Sequence, residues 1–283
     1  MVILLSGNSE DENGIQELGL NPFVRLSRDL KNASTTLDEA EARFLVDYYY
    51  TLQDERTTAE NVGRHNPEPH EVITWLAENA RNLENTVKHV LGVYAQSKIP
   101  GAWLQSIFGI GPVISAGYIA HFDITKAPTA GHFWSFAGYN PDQVWEKGQK
   151  RPFNAKLKVL CWKTGESFVK FKNNPKDVYG HYYDERKLYE QEINEAGGYA
   201  EEAAKKLRTT NIQVPEARQI YESGKLPAGH IHSRCKRWVV KLFIAHLHHV
   251  MYEDHYGTPP PKPYIIEHGG HSHSIAPPNW PMS

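Results

Sequence analysis

The chain has 283 residues, a formal net charge of −2 and a hydrophobic fraction of 40%. This length and composition predict one or two globular domains and exclude a wholly disordered chain. The two cysteines, Cys161 and Cys235, are typical of a reducing compartment, and no apolar run reaches the roughly 20 residues needed to cross a bilayer. We therefore expect a cytoplasmic protein with no membrane contact.

The N-terminal part of the chain predicts a long acidic helical hairpin, over residues 36–99, after a weakly ordered lead over residues 1–35. Apolar residues recur at helical spacing from Thr36 to about Ala59, and a second helix is predicted over residues 69–97. The acids of the first helix are typical of a solvated face, with an acidic nuclease cluster as the alternative. They are Asp38, Glu39, Glu41, Asp47, Asp54 and Glu55.

The segment 107–117, Ile-Phe-Gly-Ile-Gly-Pro-Val-Ile-Ser-Ala-Gly, predicts a helix-hairpin-helix, a motif that holds a nucleic-acid backbone. Gly109 and Gly111 favour a tight turn with positive φ and leave room for a phosphate. Pro112 suits the first turn of the helix that follows. The amides of Gly109, Gly111 and Val113 would then bind phosphates, because a helix N-terminus attracts anions. A plain turn between two buried helices is the alternative.

The rest of the chain predicts further helices and no series of strands, so the expected class is all-α, a helical domain built around the hairpin. The predicted elements are a short helix and loop at 125–145, helices at Phe153–Lys172, Tyr179–Glu195 and Ser233–Tyr256, and a peripheral insertion at about 197–229 that is helical at Ala200–Leu207. Residues 257–283 form a tail rich in proline and histidine. The domain around the hairpin therefore covers residues 100–256.

Charge is segregated along the chain, since residues 147–176 hold many bases against the single acid Glu166. Such a local basic surface attracts phosphates whatever the net charge of the chain. Trp145, beside these bases, is the preferred candidate for stacking on an unpaired base, whereas Trp162 and Phe168 are expected in the core. A merely solvated lysine face is the alternative. The predicted nucleic-acid contacts are Gly109, Gly111, Val113, Trp145, Lys147, Lys150, Arg151, Lys156 and Lys163.

Other residue types that carry chemistry form no familiar site. A single carboxylate is not a two-metal site, so Asp123 is expected at a helix end with a structural role. His246 lies on the apolar stripe of the last helix, where a core histidine is commoner than a ligand. We therefore expect no metal and no cofactor. The remaining candidates weighed for zinc are His230, His232, Cys235, His248, His249, His268, His271 and His273.

Three segments together resemble the C-terminal domain of insertion-sequence transposases of the IS-one-ten and IS-one-sixteen class. Leu104–Val113 is similar to the hairpin of that family, Phe122–Ile124 to its Asp-Ile pair, and Ala130–Pro141 to its helix ending in Ala-Gly-Leu-x-Pro. The resemblance continues more weakly to residue 256. It implies a DNA-binding scaffold that is encoded by a mobile element or derived from one.

Two departures limit the chemistry that the resemblance implies. In the family an RuvC-like nuclease domain, which is rich in β-strands, precedes the hairpin domain. The residues that precede the hairpin here predict helices, and they are too few for that fold. Lys147 stands where the family has a nucleophilic serine, and Ser135 matches a different position. The resemblance therefore assigns no catalytic residue, and whether the chain is an enzyme stays open.

The sequence predicts a DNA-binding protein without its own strand-cleaving site. The first alternative is a divergent transposase or recombinase subunit, with an unrecognised nucleophile or a site completed by a separate nuclease chain. The second is a protein-interaction or regulatory module in which the hairpin is purely structural. DNA is the expected partner, a structured guide RNA is a further candidate, and we expect a homo-oligomer.

Overall fold

The computed structural model describes residues 32–261 and 275–282, and these residues are all-α, as the sequence pattern predicts. The helices are α1 (Glu39–Arg64), α2 (Glu71–Gln96), α3 (Ile99–Ser106), α4 (Pro112–His121), α5 (Ala130–Phe136), α6 (Ala155–Phe171), α7 (Val178–Glu195), α8 (Ala200–Thr209), α9 (Pro215–Glu222) and α10 (Ala228–Tyr256). Short 3-10 turns cover Ser34–Thr36 and Ile124–Lys126. Within these ranges there is no strand, and no helix is both long and apolar enough to span a bilayer. Most of the predicted lead, together with His268, His271 and His273, lies outside the described residues.

Local capping signals set where several helices begin. Asp38 accepts a hydrogen bond from the Glu41 amide at 2.7 Å, and the Glu41 carboxylate accepts one from the Asp38 amide at 2.9 Å. This reciprocal pair is a capping box, and it starts α1 a few residues later than the apolar periodicity predicts. Asn154 and Asp177 cap α6 and α7 through their side chains. The ends of these helices are therefore encoded locally.

Helix α10 lies at the centre of the fold and packs against α3, α5, α6 and α7. The ring of Phe243 meets the rings of Trp103, Tyr118, Phe168 and Tyr179, with centroids 5.2 to 6.1 Å apart. All five side chains are buried, and aromatic contacts of this kind add to the free energy gained from apolar burial. The core position predicted for Phe168 is therefore confirmed.

Two glycines let α6 pack closely between its neighbours. A Cβ atom on Gly117 of α4 would lie 2.6 Å from Cδ2 of Leu160, and a Cβ atom on Gly165 would lie 3.1 Å from Cγ2 of Val240 in α10. Contacts under 3.0 Å essentially never occur for a real Cβ, so a side chain at residue 117 would force the α4–α6 crossing apart. Helix α6 thus has one side buried in the core, and the rest of its surface, which includes Lys156 and Trp162, is exposed.

The long helices α1 and α2 pack along each other, and both also pack on α4. Arg43 donates to the carbonyl oxygen of Ala120 at 2.5 Å, which ties α1 to the end of α4. Between α1 and α2, Arg56 binds Glu84 at 2.5 Å and Glu60 at 2.9 Å. Helices α1 and α2 therefore share one continuous hydrophobic core with helices α3 and α4.

The described end of the chain returns to the centre of the fold. The indole N–H of Trp103 donates to the carbonyl oxygen of Pro278 at 2.7 Å, and the Asn279 amide donates to the carbonyl oxygen of Ser106 at 3.1 Å. The region 197–229 is tied down as well, because the Asn194 side chain bonds both the amide and the carbonyl of Leu226. Part of the proline-rich tail is thus packed on α3.

Candidate nucleic-acid interface

The hairpin between α3 and α4 has the turn that its glycines predict, with one correction. Gly109 has φ +88°, the left-handed conformation that favours glycine. Gly111 has φ −93° and ψ 176°, so the positive φ predicted there is wrong, because this residue is the extended N-cap of α4. Pro112 is the first residue of α4, as predicted. The amide of Ile110 donates to the carbonyl of Ile107 at 3.0 Å and closes the turn.

Three backbone amides of the hairpin are available to a ligand. Among the described residues, no acceptor bonds the N–H groups of Gly109, Gly111 or Val113. The first amides of a helix have no acceptor within the helix, and here the glycine at its N-cap supplies no side chain to fill that role. A Cβ atom on Gly111 would meet no heavy atom within 4 Å, so the space beside this residue is open. The arrangement has the donors that an anion needs.

The hairpin is anchored on the C-terminal half of α6. The Ser167 hydroxyl donates to the carbonyl of Gly109 at 2.6 Å, and the ring of Phe108 packs edge-on against Phe171 with centroids 5.6 Å apart. A Cβ atom on Gly109 would lie 3.3 Å from the Ser167 hydroxyl oxygen. The carbonyl is therefore turned into the fold, and the position of the hairpin relative to α6 is fixed.

A row of lysines runs along the same edge of α6. Lys156, Lys163 and Lys170 are spaced by seven residues, which places them on one side of a helix over about 21 Å. Lys163 and Lys170 stand four residues before and three after Ser167, and are therefore its neighbours on the helix surface. We name Lys156, Lys163 and Lys170 the basic edge. Lys170 is absent from the predicted contacts, although the seven-residue spacing could have identified it.

The lysines of the basic edge differ in what they contact. Lys156 forms an ion pair with Asp47 of α1, so its charge is neutralised within the protein. The ammonium group of Lys163 lies over the ring of Tyr50, 3.8 Å from the centroid, and pairs with no described carboxylate. Lys170 lies 5.5 Å from the ring centroid of Phe171. Of the cations predicted to contact nucleic acid, Lys156 is thus the one that forms an ion pair within the described part of the protein.

The loop between α5 and α6 carries the other predicted cations. Lys147, Lys150 and Arg151 form no ion pair with any described carboxylate, and all three are exposed. The Arg151 guanidinium lies 5.3 Å from the centre of the Trp145 ring. The Trp145 N–H donates to the Gln149 carbonyl at 2.9 Å, which holds the ring in the loop with 39% of the residue exposed.

The predicted residues therefore form two groups near the two ends of α6, one in the loop before its first turn and one where the hairpin meets its C-terminal half. The loop enters α6 at Ala155, whereas Gly109 meets α6 at Ser167, roughly 18 Å along the helix axis. Lys156 lies at the loop end and Lys163 close to the hairpin end. Neighbouring phosphates of one DNA strand are about 3.4 Å apart along the axis of the duplex. About six phosphates of a strand parallel to α6 would therefore lie beside this roughly 18 Å length of the helix.

The residues considered for other chemistry have structural roles. Asp123 accepts hydrogen bonds from the Thr125 amide at 3.1 Å and hydroxyl at 2.6 Å, and pairs with Lys126 at 2.7 Å. The bonds from Lys126 and Thr125 hold the pKa of Asp123 below its usual value. Its expected role at a helix end is confirmed. Among the described residues, no three His, Cys, Asp or Glu side chains converge as metal ligands.

His246 is a satisfied core histidine, as predicted. The Tyr179 hydroxyl lies 2.7 Å from its Nδ1, and its Nε2 lies 2.9 Å from the carbonyl oxygen of Ile275. Because a carbonyl can only accept, Nε2 carries the proton and Nδ1 accepts from the tyrosine. Burial lowers the pKa of His246 to about 4. The ring is therefore neutral near pH 7.

Trp162 is the main departure from the predicted burial. The residue is 56% exposed, on the edge of α6 that faces α10, whereas Phe168 of the same helix is fully buried. Both cysteines are buried free thiols. The exposed features around α6 are thus a basic edge, an aromatic side chain and three unpaired hairpin amides. Comparison of the chain with protein families, with curated proteins and with solved structures finds no match.

Proposed function

We propose that this protein binds DNA through the basic edge of α6, with the hairpin amides at one end and the α5–α6 loop at the other. One observation carries the proposal: of the nine basic side chains at residues 147–176, Lys156 and Lys172 are the two that pair with a described carboxylate. The nine are Lys147, Lys150, Arg151, Lys156, Lys158, Lys163, Lys170, Lys172 and Lys176.

Unpaired cations on a rigid edge are suited to the sequence-independent part of DNA binding. Each phosphate that a lysine or arginine neutralises releases condensed counterions, so affinity falls steeply with salt. Backbone amides add directional hydrogen bonds that fix the position of the strand without reading its sequence. Gly109, Gly111 and Val113 supply such donors at the hairpin end.

The resemblance of residues 100–256 to insertion-sequence transposases supports the same proposal and extends it. We infer that the chain is encoded by a mobile element or derived from one, and that it holds DNA without cutting it. Its proposed partners are DNA, a structured guide RNA, a separate nuclease chain and a second copy of itself. Two free thiols agree with a place in the cytoplasm.

The test compares two triple variants that remove the same charge. Lys147→Gln, Lys150→Gln and Arg151→Gln together change the loop, and Lys88→Gln, Lys205→Gln and Arg208→Gln remove three exposed charges elsewhere. Binding of a labelled duplex is measured by fluorescence anisotropy between 50 and 200 mM salt. The slope of log K against log salt is negative, and its magnitude should decrease by about 3 in the loop variant and stay unchanged in the control.

Equal slopes in both variants would refute the basic loop as a DNA contact. Absence of duplex binding at low salt would refute the proposed function and favour a protein-interaction module. A structured RNA that binds more tightly than the duplex, with the same dependence on the loop, would move the proposal from DNA to RNA. Substitution of Lys156 is avoided, since it would also break the ion pair with Asp47.

A further inference from the structure

A second positively charged site lies on the opposite edge of α6, in a cleft between α6 and α10. The cleft has a volume of about 310 Å³. The residues that give it chemical character are Tyr139, Lys158, Trp162, Ser233, Lys236 and Arg237. We name it the α6–α10 cleft. Lys158 is two residues from Lys156, about 200° around the helix, so the cleft is separate from the basic edge.

The positive charge of the α6–α10 cleft is not balanced by the residues that line it. Among the described residues, three cations line the cleft and no carboxylate does. Lys236 is paired with Glu166 beside the cleft. The guanidinium of Arg237 forms no hydrogen bond, ion pair or ring contact with any described residue, and Lys158 lies over the ring of Phe153, 4.2 Å from its centroid. Two of the three charges thus lack a counterion.

These cations are close enough to affect one another. Burial lowers the pKa of Lys158, and the positive charges of Arg151 and Arg237 lower it further. Like charges gathered in a partly desolvated place favour an anion as occupant, because it relieves their repulsion. An arginine that is free to present its planar fork is well suited to a phosphate group.

An exposed aromatic ring lies next to these charges. Trp162 keeps 56% of its surface exposed although it lines the cleft, and the Lys236 ammonium lies 5.8 Å from its ring centre. Tyr139 also lines the cleft, and burial is the main cause that raises the pKa of its hydroxyl, so it remains protonated at neutral pH. A flat ring and a protonated hydroxyl can receive a nucleobase, which stacks on indole rings.

The wall of the cleft is held in place by packing. Gly138 has φ +72°, and a Cβ atom there would lie 2.9 Å from the Phe153 ring and 3.1 Å from Cδ of Lys158. Gly165 and Val240 bring α6 and α10 together at the base of the cleft. The cations and the indole are therefore carried by two packed helices, which gives the site a fixed shape.

We propose that the α6–α10 cleft binds a single phosphorylated nucleoside, with its phosphate on Lys158 and Arg237 and its base against Trp162. A volume of about 310 Å³ lies at the lower end of small-molecule sites, about 300–1,000 Å³, and admits one nucleotide. The ligand is either a free nucleotide or the unpaired end of a bound strand. In the second case the inference rests on the proposed function.

The test is calorimetric titration of the full chain with AMP, adenosine and inorganic phosphate. AMP should bind more tightly than either fragment. Lys158→Gln with Arg237→Gln should weaken AMP binding at least tenfold, and Trp162→Leu should reduce it by roughly 5- to 100-fold, toward the affinity of phosphate. The control Lys147→Gln with Lys150→Gln removes the same charge from the loop and should leave AMP binding unchanged.

A competition arm identifies the source of the nucleotide. If a duplex with a 5′-phosphorylated single-stranded overhang displaces AMP while a blunt duplex does not, the occupant is a strand end. If neither displaces AMP, the occupant is a free nucleotide. AMP binding that is absent, or that the cleft variants leave unchanged, would overturn the inference. The proposed function is tested separately by the duplex salt slope of the loop variant, so its failure is distinguishable from a failure of the cleft to bind AMP.

Discussion

Two clusters of charge share helix α10 and are built in opposite ways. Around Glu190, cations and carboxylates neutralise one another, whereas the α6–α10 cleft gathers cations without a lining carboxylate. Arg234 and Arg237 make the contrast plain, since they lie three residues apart on α10. Arg234 binds Glu190 at 2.8 Å and Glu202 at 2.5 Å, and Arg237 binds no described residue.

The Glu190 cluster is a closed network. Its carboxylate, with 1% of the residue exposed, accepts hydrogen bonds from Arg186, Arg234 and the Tyr199 hydroxyl. Burial acts to raise the pKa of Glu190, but bonds from Tyr199, Arg234 and Arg186 outweigh it and leave the pKa lowered. All four side chains thus serve the fold, and none remains for a ligand.

Unpaired charges, more than paired ones, mark the places where this chain can bind another molecule. A buried charge whose partners are in place is costly to disturb and contributes to the fold. A cation without a partner contributes little to folding, and its charge is available to another molecule. Substitutions in the two clusters should therefore differ in whether they change stability or ligand binding.

Removing Glu190 should destabilise the protein strongly. Glu190→Ala leaves Arg186 and Arg234 without their shared carboxylate, and we expect a loss of about 3 kcal/mol in the free energy of unfolding. This is the lower end for a broken buried pair, because the two arginines keep 25% and 24% of their side chains exposed. Urea denaturation measures the loss. Glu185→Ala, an exposed change on the same helix, should cost under about 0.5 kcal/mol, and equal losses would contradict the network.

As the pH falls, the buried histidines should destabilise the fold at a higher pH than the Glu190 network does. The folded pKa of His246, about 4, is below the unfolded value of 6.5, so the unfolded chain binds the proton first and stability falls as pH drops below 6.5. The loss from His246 is about 2 kcal/mol at pH 5, and His121, also lowered to about 4 by burial, adds in the same direction. Glu190, whose pKa is lowered, keeps its contribution until the pH falls below its ordinary range near 4.5.

Urea midpoints measured at half-unit steps from pH 8 to 5 test this dependence. His246→Gln should flatten the curve, while His181→Gln, an exposed residue on α7, should leave its slope unchanged. His121 leaves a residual slope in His246→Gln. A slope as steep in His246→Gln as in the unchanged chain would show that the His246 imidazole does not contribute to it.

The two arginines of α10 should separate stability from binding. Arg234→Ala should cost about 1–2 kcal/mol, since Glu190 keeps two of its three partners. Arg237→Ala should change stability by less than about 0.5 kcal/mol. It should also raise the pKa of Lys158, followed by NMR of the lysine side chain, because a like charge is removed. Arg234→Ala should leave the pKa of Lys158 unchanged. A large loss of stability in Arg237→Ala, or a raised Lys158 pKa in Arg234→Ala, would contradict the difference between the two clusters.

Much of the fold follows from local signals. The apolar periodicity of α1, α2, α6 and α10 predicts these helices, and Gly109 with Pro112 predicts the turn between α3 and α4. The short helix α9 and the return of residues 275–282 to α3 were not predicted. Their contacts, such as Trp103 with Pro278, join positions far apart in the chain, for which periodicity holds no information.

The candidate sites divide in the same way. The sequence alone shows that residues 147–176 are basic and predicts a glycine turn with outward amides between α3 and α4, because composition and turn chemistry are local properties. Which cations remain unpaired depends on long-range packing: Lys156 meets Asp47 of α1, whereas Arg237 meets no carboxylate among the residues that the structure describes. Long-range packing likewise leaves Trp162 exposed, whereas Phe168 is buried. Periodicity defines the faces of a helix, but the packing of distant segments decides which neighbour covers each face.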